Sequence, residues 1–60
     1  MEKIAFMEEL RGFMSEFPQY TIGETIHSIL IHLDGRVVES TNEELLTAVE
    51  KAREFEKEVA

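Results

Sequence analysis

Sixty residues with 13 acidic and 6 basic side chains carry a net charge of −7, and the chain has no cysteine. That charge balance opposes nucleic-acid backbones and anionic membranes, and the missing thiols exclude disulfide staples and thiolate zinc sites. A chain this short buries only about 60% of the surface that its unfolded form exposes, so a single domain over residues 1–60 has a thin core and relies on close helix packing or on association.

Hydrophobic residues at 43% beside 32% charged residues describe a folded chain rather than a disordered one. Apolar runs are only a few residues long, and the opening "MEKIAFMEEL" carries acidic residues where a signal peptide would be basic and apolar. The expected location is cytoplasmic, with no membrane and no direct nucleic-acid contact.

Helical periodicity appears first. At 100° per residue Phe6, Met7, Leu10, Phe13, Met14 and Phe17 fall within an arc of roughly 120°, which predicts a helix near residues 3–16 with that arc inward. Glu8, Glu9, Ser15 and Glu16 take the other side, and Ile4 lies off the stripe. Gly12 weakens the helix by about 1 kcal/mol relative to alanine, and Pro18 ends it by pushing the preceding residue out of the α region.

Thr21 followed three residues later by Glu24 forms a capping box, so a second helix starts at Ile22. Ile22, Ile26, Ile29, Leu30 and Leu33 then share an arc of about 100°, giving a helix near 22–33 with Gly35 as its left-handed stop. After it, "RVVES" reads as an extended connector whose valines dock on the helices. The same stretch supports an alternative, because Asp34-Gly35 between β-branched runs is a hairpin signal. A hairpin at 29–39 would make the fold α+β. Its strand faces come out mixed, with Arg36 among apolar residues on one side and His32 and Glu39 on the other, whereas the helix reading has a start, five periodic positions and a stop.

The third segment opens with two overlapping capping boxes, Ser40 with Glu43 and Thr41 with Glu44, and places acidic residues at the positive end of the helix dipole. A helix near 42–57 follows, burying Leu45, Ala48, Val49, Ala52, Phe55 and Val59. Arg53 stands at i,i+3 spacing from both Glu50 and Glu56. The fold class is therefore all-α, a small three-helix domain.

Candidate chemistry is sparse. Glu24 and His27 make one E-x-x-H spacing, as in di-iron bundles, but on the polar side of the second helix and without a second copy. His27 and His32 are five residues apart, about 140° around a helix, a poor chelating pair beside an i,i+4 one. No nucleophile elbow or glycine loop is present. The expectation is no catalytic residue, no metal and no cofactor. A helix-turn-helix reading of the first two helices places Glu24, Thr25, His27, Ser28 and Ile31 on the recognition surface, with no Lys or Arg to read guanine. Arg36, Lys51, Arg53 and Lys57 form a solvated face among glutamates.

What stands out is apolar surplus. The first helix offers Phe6, Met7, Leu10, Phe13, Met14 and Phe17 to two neighbours of limited size, and Ile4 and Ile31 project from faces expected to be wet. Leftover apolar surface of this kind marks a protein-protein interface, so these six residues and Ile31 are the candidate interface, and a homodimer is expected to complete the domain. The sequence reads as a non-catalytic interaction module or small regulatory subunit. The alternative is a nucleic-acid-linked regulator, either a degenerate helix-turn-helix or an acidic partner of a DNA-binding protein.

Overall fold

The computed structural model describes residues 2–59. It is all-α: α1 (Glu2–Glu16), α2 (Ile22–Leu30) and α3 (Asn42–Val59), with a 3₁₀ turn at Val37–Glu39 between the last two. No strand occurs among the described residues, the 29–39 stretch included. The radius of gyration is 10.9 Å, close to the ~10.4 Å expected of a compact 60-residue chain.

Local signals place the helix starts. At α2 the Glu24 amide donates to Thr21 Oγ1 at 3.1 Å and the Thr21 amide donates to Glu24 Oε1 at 2.8 Å, a complete capping box. Thr41 and Glu44 repeat it at α3, both distances being 3.1 Å. Of the two overlapping boxes at that start, the one from Ser40 to Glu43 does not form. Ser40 Oγ instead donates to the Arg36 carbonyl at 2.9 Å and closes the 3₁₀ turn.

The end of α2 differs from expectation. Regular helix stops at Leu30; the Ile31 amide still donates to the His27 carbonyl, but those of His32 and Leu33 reach back only three residues, to the Ile29 and Leu30 carbonyls. This is 3₁₀ tightening, which is frequent at helix C-termini. Gly35 does adopt the left-handed region at φ +88°, but it reverses the chain beyond the helix rather than capping it. The connector is likewise not extended. It coils into the 3₁₀ turn, leaving Val37 half exposed and Val38 77% exposed, so Val38 does not dock.

The core is Phe13, Ile29, Ala48, Val49 and Ala52, flanked by Phe6, Leu10, Phe17 and Leu33. Phe13 sits at its centre, fully buried, with its ring 4.9 Å from that of Phe17. Ala48 and Ala52 let α1 approach α3 closely, as small side chains do at helix crossings.

Two of the helices, α1 and α2, are rotated from the orientation their apolar arcs predict. In α1 the buried direction runs through Phe13, roughly 60° from the centre of the arc, so Met7 and Met14 face outward with Ile4. Glu9 and Glu16 are correspondingly turned toward α3. Arg53 holds them there: Nη1 lies 2.9 Å from Glu9 Oε2, and Nε lies 2.8 Å from Glu16 Oε2, the second as an ion pair whose angle is not that of a hydrogen bond. The expected i,i+3 pairs of Arg53 with Glu50 and Glu56 give way to these interhelical ones, which are part-exposed and worth at most about 1 kcal/mol each. Gly12 leaves room for the guanidinium, since a Cβ there would meet Arg53 Nη2 at 3.2 Å.

In α2 the buried line is Thr25 and Ile29, while Ile22 and Ile26 are exposed. Thr25, expected on the wet face, is thus a core residue. In α3 Glu56 is buried and Phe55 is 46% exposed, the reverse of expectation. Glu56 is accommodated because the Tyr20 hydroxyl donates to its Oε1, which offsets part of the cost of burying a carboxylate. Phe55 packs against His32 with the rings tilted by 56° and their centres 5.7 Å apart.

Candidate functional site

The rotation of α1 creates an outward apolar face. Ile4 is 58% exposed, Met7 60% and Met14 38%. With Leu10 they line an open groove of about 590 Å³ whose polar walls are Glu8, Arg11 and Ser15. A second groove of about 380 Å³ lies on the other side of Leu10, lined only by apolar residues: Phe6, Leu10, Ile26, Ile29, Leu30, Val37 and Leu45. The two share Leu10, so apolar surface runs from the outer side of α1 across to α2 and the 3₁₀ turn.

The molecule exposes 4483 Å², against roughly 4000 Å² for a folded monomer of 6.9 kDa. Its extents of 30 × 22 × 19 Å make it somewhat elongated, which accounts for part of that surplus. Among the described residues ten large hydrophobic side chains stand more than a third exposed; Ile4, Met7 and Met14 share the first groove, and Ile26 and Val37 line the second.

The seven residues proposed from sequence fall into three groups. Met7, Met14 and Ile31 are exposed, Phe6, Leu10 and Phe17 are half-buried against the core, and Phe13 is wholly inside. Phe13 therefore supports the face from beneath rather than belonging to it. Ile31 caps α2 and lines neither apolar groove. Sequence reasoning missed Glu8 and Arg11 as groove walls and missed Ile26, Leu30, Val37 and Leu45 as a second apolar surface. For Arg11 a signal existed, because Ile4, Met7, Arg11 and Met14 follow an i, i+3, i+7, i+10 spacing.

Other side chains with chemical potential are engaged structurally. The Glu24 carboxylate is held by the α2 cap, while His27 is exposed beside it. His32 lies over Phe55, its Nε2 buried without a hydrogen-bond partner, at the edge of a smaller cleft with Asp34, Glu43, Glu44 and Lys51. Arg36 makes a long exposed contact of 3.7 Å with Glu39. Tyr20 titrates above its usual 10 because its protonated hydroxyl donates a hydrogen bond to the Glu56 carboxylate, with lesser contributions from partial burial and from the charges of Glu56 and Glu24. Among the described residues no group of three or more His, Asp or Glu side chains is placed to hold a metal ion, and no helix is long and apolar enough to cross a membrane.

No family model, curated protein or solved structure matches this chain. The reading of its function rests on the surface alone.

Proposed function

We propose that the protein is a non-catalytic protein-protein interaction module, a small acidic regulatory subunit of the cytoplasm that self-associates through α1. The observation that supports this reading is the outward apolar face of Ile4, Met7 and Met14, continuous through Leu10 with a second groove. Methionines suit such a surface because their flexible, polarisable side chains adapt to a partner. An unpartnered apolar surface of this extent costs solubility in a monomer, and covering it stabilises a domain whose own core is small.

Sedimentation across a dilution series tests the reading. The expected result is a mass above 6.9 kDa that falls on dilution, and a shift to monomer when Met7→Asp and Met14→Asp are introduced together with helicity retained. A mass that stays at the monomer value at every concentration refutes self-association.

A further inference from the structure

The outer side of α1 carries more than apolar residues, and its charges say how it pairs. Ile4, Met7, Arg11 and Met14 occupy the two alternating seam positions of a heptad, the pattern by which two helices interlock. All four lie on the side of α1 turned away from Phe13 and α3, and all are exposed. Glu8 borders the seam next to Arg11, and both line the same groove.

We propose that α1 docks against α1 of a second copy of this chain, antiparallel about a two-fold axis. The proposal deepens the self-association reading and rests on it. In that register Ile4 faces Met14 of the second copy and Met7 faces Arg11. The guanidinium of each Arg11 then passes over Met7 to reach Glu8 of the other chain, and the two-fold generates this pair twice. A parallel arrangement sets Arg11 against Arg11 in the seam, a repulsion that the antiparallel one avoids. A lone polar residue in a seam position fixes orientation and register in this way in coiled coils. The seam from Ile4 to Met14 is about 15 Å long, short for an interface. The dimer belongs with the small, dissociable class burying less than about 1,200 Å² in all.

Charge reversal tests the arrangement on the intact chain, with helicity followed by circular dichroism to confirm that each variant folds. Glu8→Arg makes the seam wholly basic and Arg11→Glu makes it wholly acidic. Each alone is expected to weaken dimerisation about tenfold by turning two attractive contacts repulsive, and an equimolar mixture of the two is expected to recover the affinity as a heterodimer. The chain has no native cysteine, so crosslinking gives a second readout. Ile4→Cys chains should link to Met14→Cys chains in a mixture, and neither should link efficiently to itself. Dimers that ignore both charge reversals, or Ile4→Cys chains that link to themselves, overturn the antiparallel seam while leaving self-association standing. A chain that never dimerises overturns both.

Discussion

Two residues of one apolar arc, Phe13 and Met7, should lose very different amounts of stability on truncation. Phe13 is fully buried at the centre of the core, and Phe→Ala at such a site costs about 3–5 kcal/mol. A 60-residue domain has only about 3–9 kcal/mol of total stability, so Phe13→Ala is expected to be largely unfolded, and Phe13→Asp, which also buries a charge, entirely so. Met7 is 60% exposed. Complete burial of a methionine is worth about 1.5–3 kcal/mol, and with less than half of that realised, Met7→Ala costs the monomer about 1 kcal/mol or less. Urea unfolding followed by far-UV circular dichroism in dilute protein measures both. Comparable losses for the two substitutions would refute the rotation of α1 and restore the centred orientation that its sequence suggests. The same Met7→Ala protein examined at high concentration should show weakened self-association, which separates the residue's role in the fold from its role at the surface.

The Thr41 cap predicts that Thr41→Ala lowers stability by about 1 kcal/mol, with Thr41→Asp close to neutral, both read from urea midpoints. Gly12→Ala removes about 1 kcal/mol of helix penalty but crowds Arg53. It should therefore stabilise an Arg53→Ala background by a few tenths of a kcal/mol more than the native one, and a double-mutant cycle with no coupling would contradict the close approach. Tyr20 has its phenol pKa raised in the folded state, so its contribution to stability is full below pH 10 and is lost as the pH climbs through the folded pKa. Thermal melts should fall more steeply above pH 10 for the native protein than for Tyr20→Phe.

Much of the fold is visible locally. The boxes Thr21 to Glu24 and Thr41 to Glu44 mark helix starts by a pattern four residues long, and Pro18 marks the end of α1. These signals involve only neighbours in the chain, so sequence carries them, although it does not say which of the two overlapping boxes at α3 forms. What the sequence withholds is how each helix turns about its own axis. An apolar arc of about 120° is wider than the line of closest contact between two helices, so several rotations bury part of it. In α1 the rotation accords with Arg53 on a distant helix, which claims Glu9 and Glu16, and with Gly12 leaving space beside them. Glu56 illustrates the same limit. Its angle on the wheel falls among Leu45, Val49 and Ala52, yet its charge suggests solvent, and only the position of the Tyr20 hydroxyl resolves the conflict. The outward face was correspondingly half visible: Met7 and Met14 could be proposed, but which side of the stripe they occupied depended on tertiary pairing.

The brevity of α2 bears on how the molecule opens. At nine residues it is below the roughly 12–15 needed for an isolated helix to persist in water, and only Thr25 and Ile29 anchor it in the core. Native-state amide exchange should therefore find α2 releasing its protons through sub-global openings that leave α1 and α3 paired. Such an opening removes one wall of the second groove and uncovers Phe6 and Leu10, yet it leaves the Ile4, Met7 and Met14 face undisturbed. The self-association proposed for α1 would thereby be insulated from the part of the fold expected to open first.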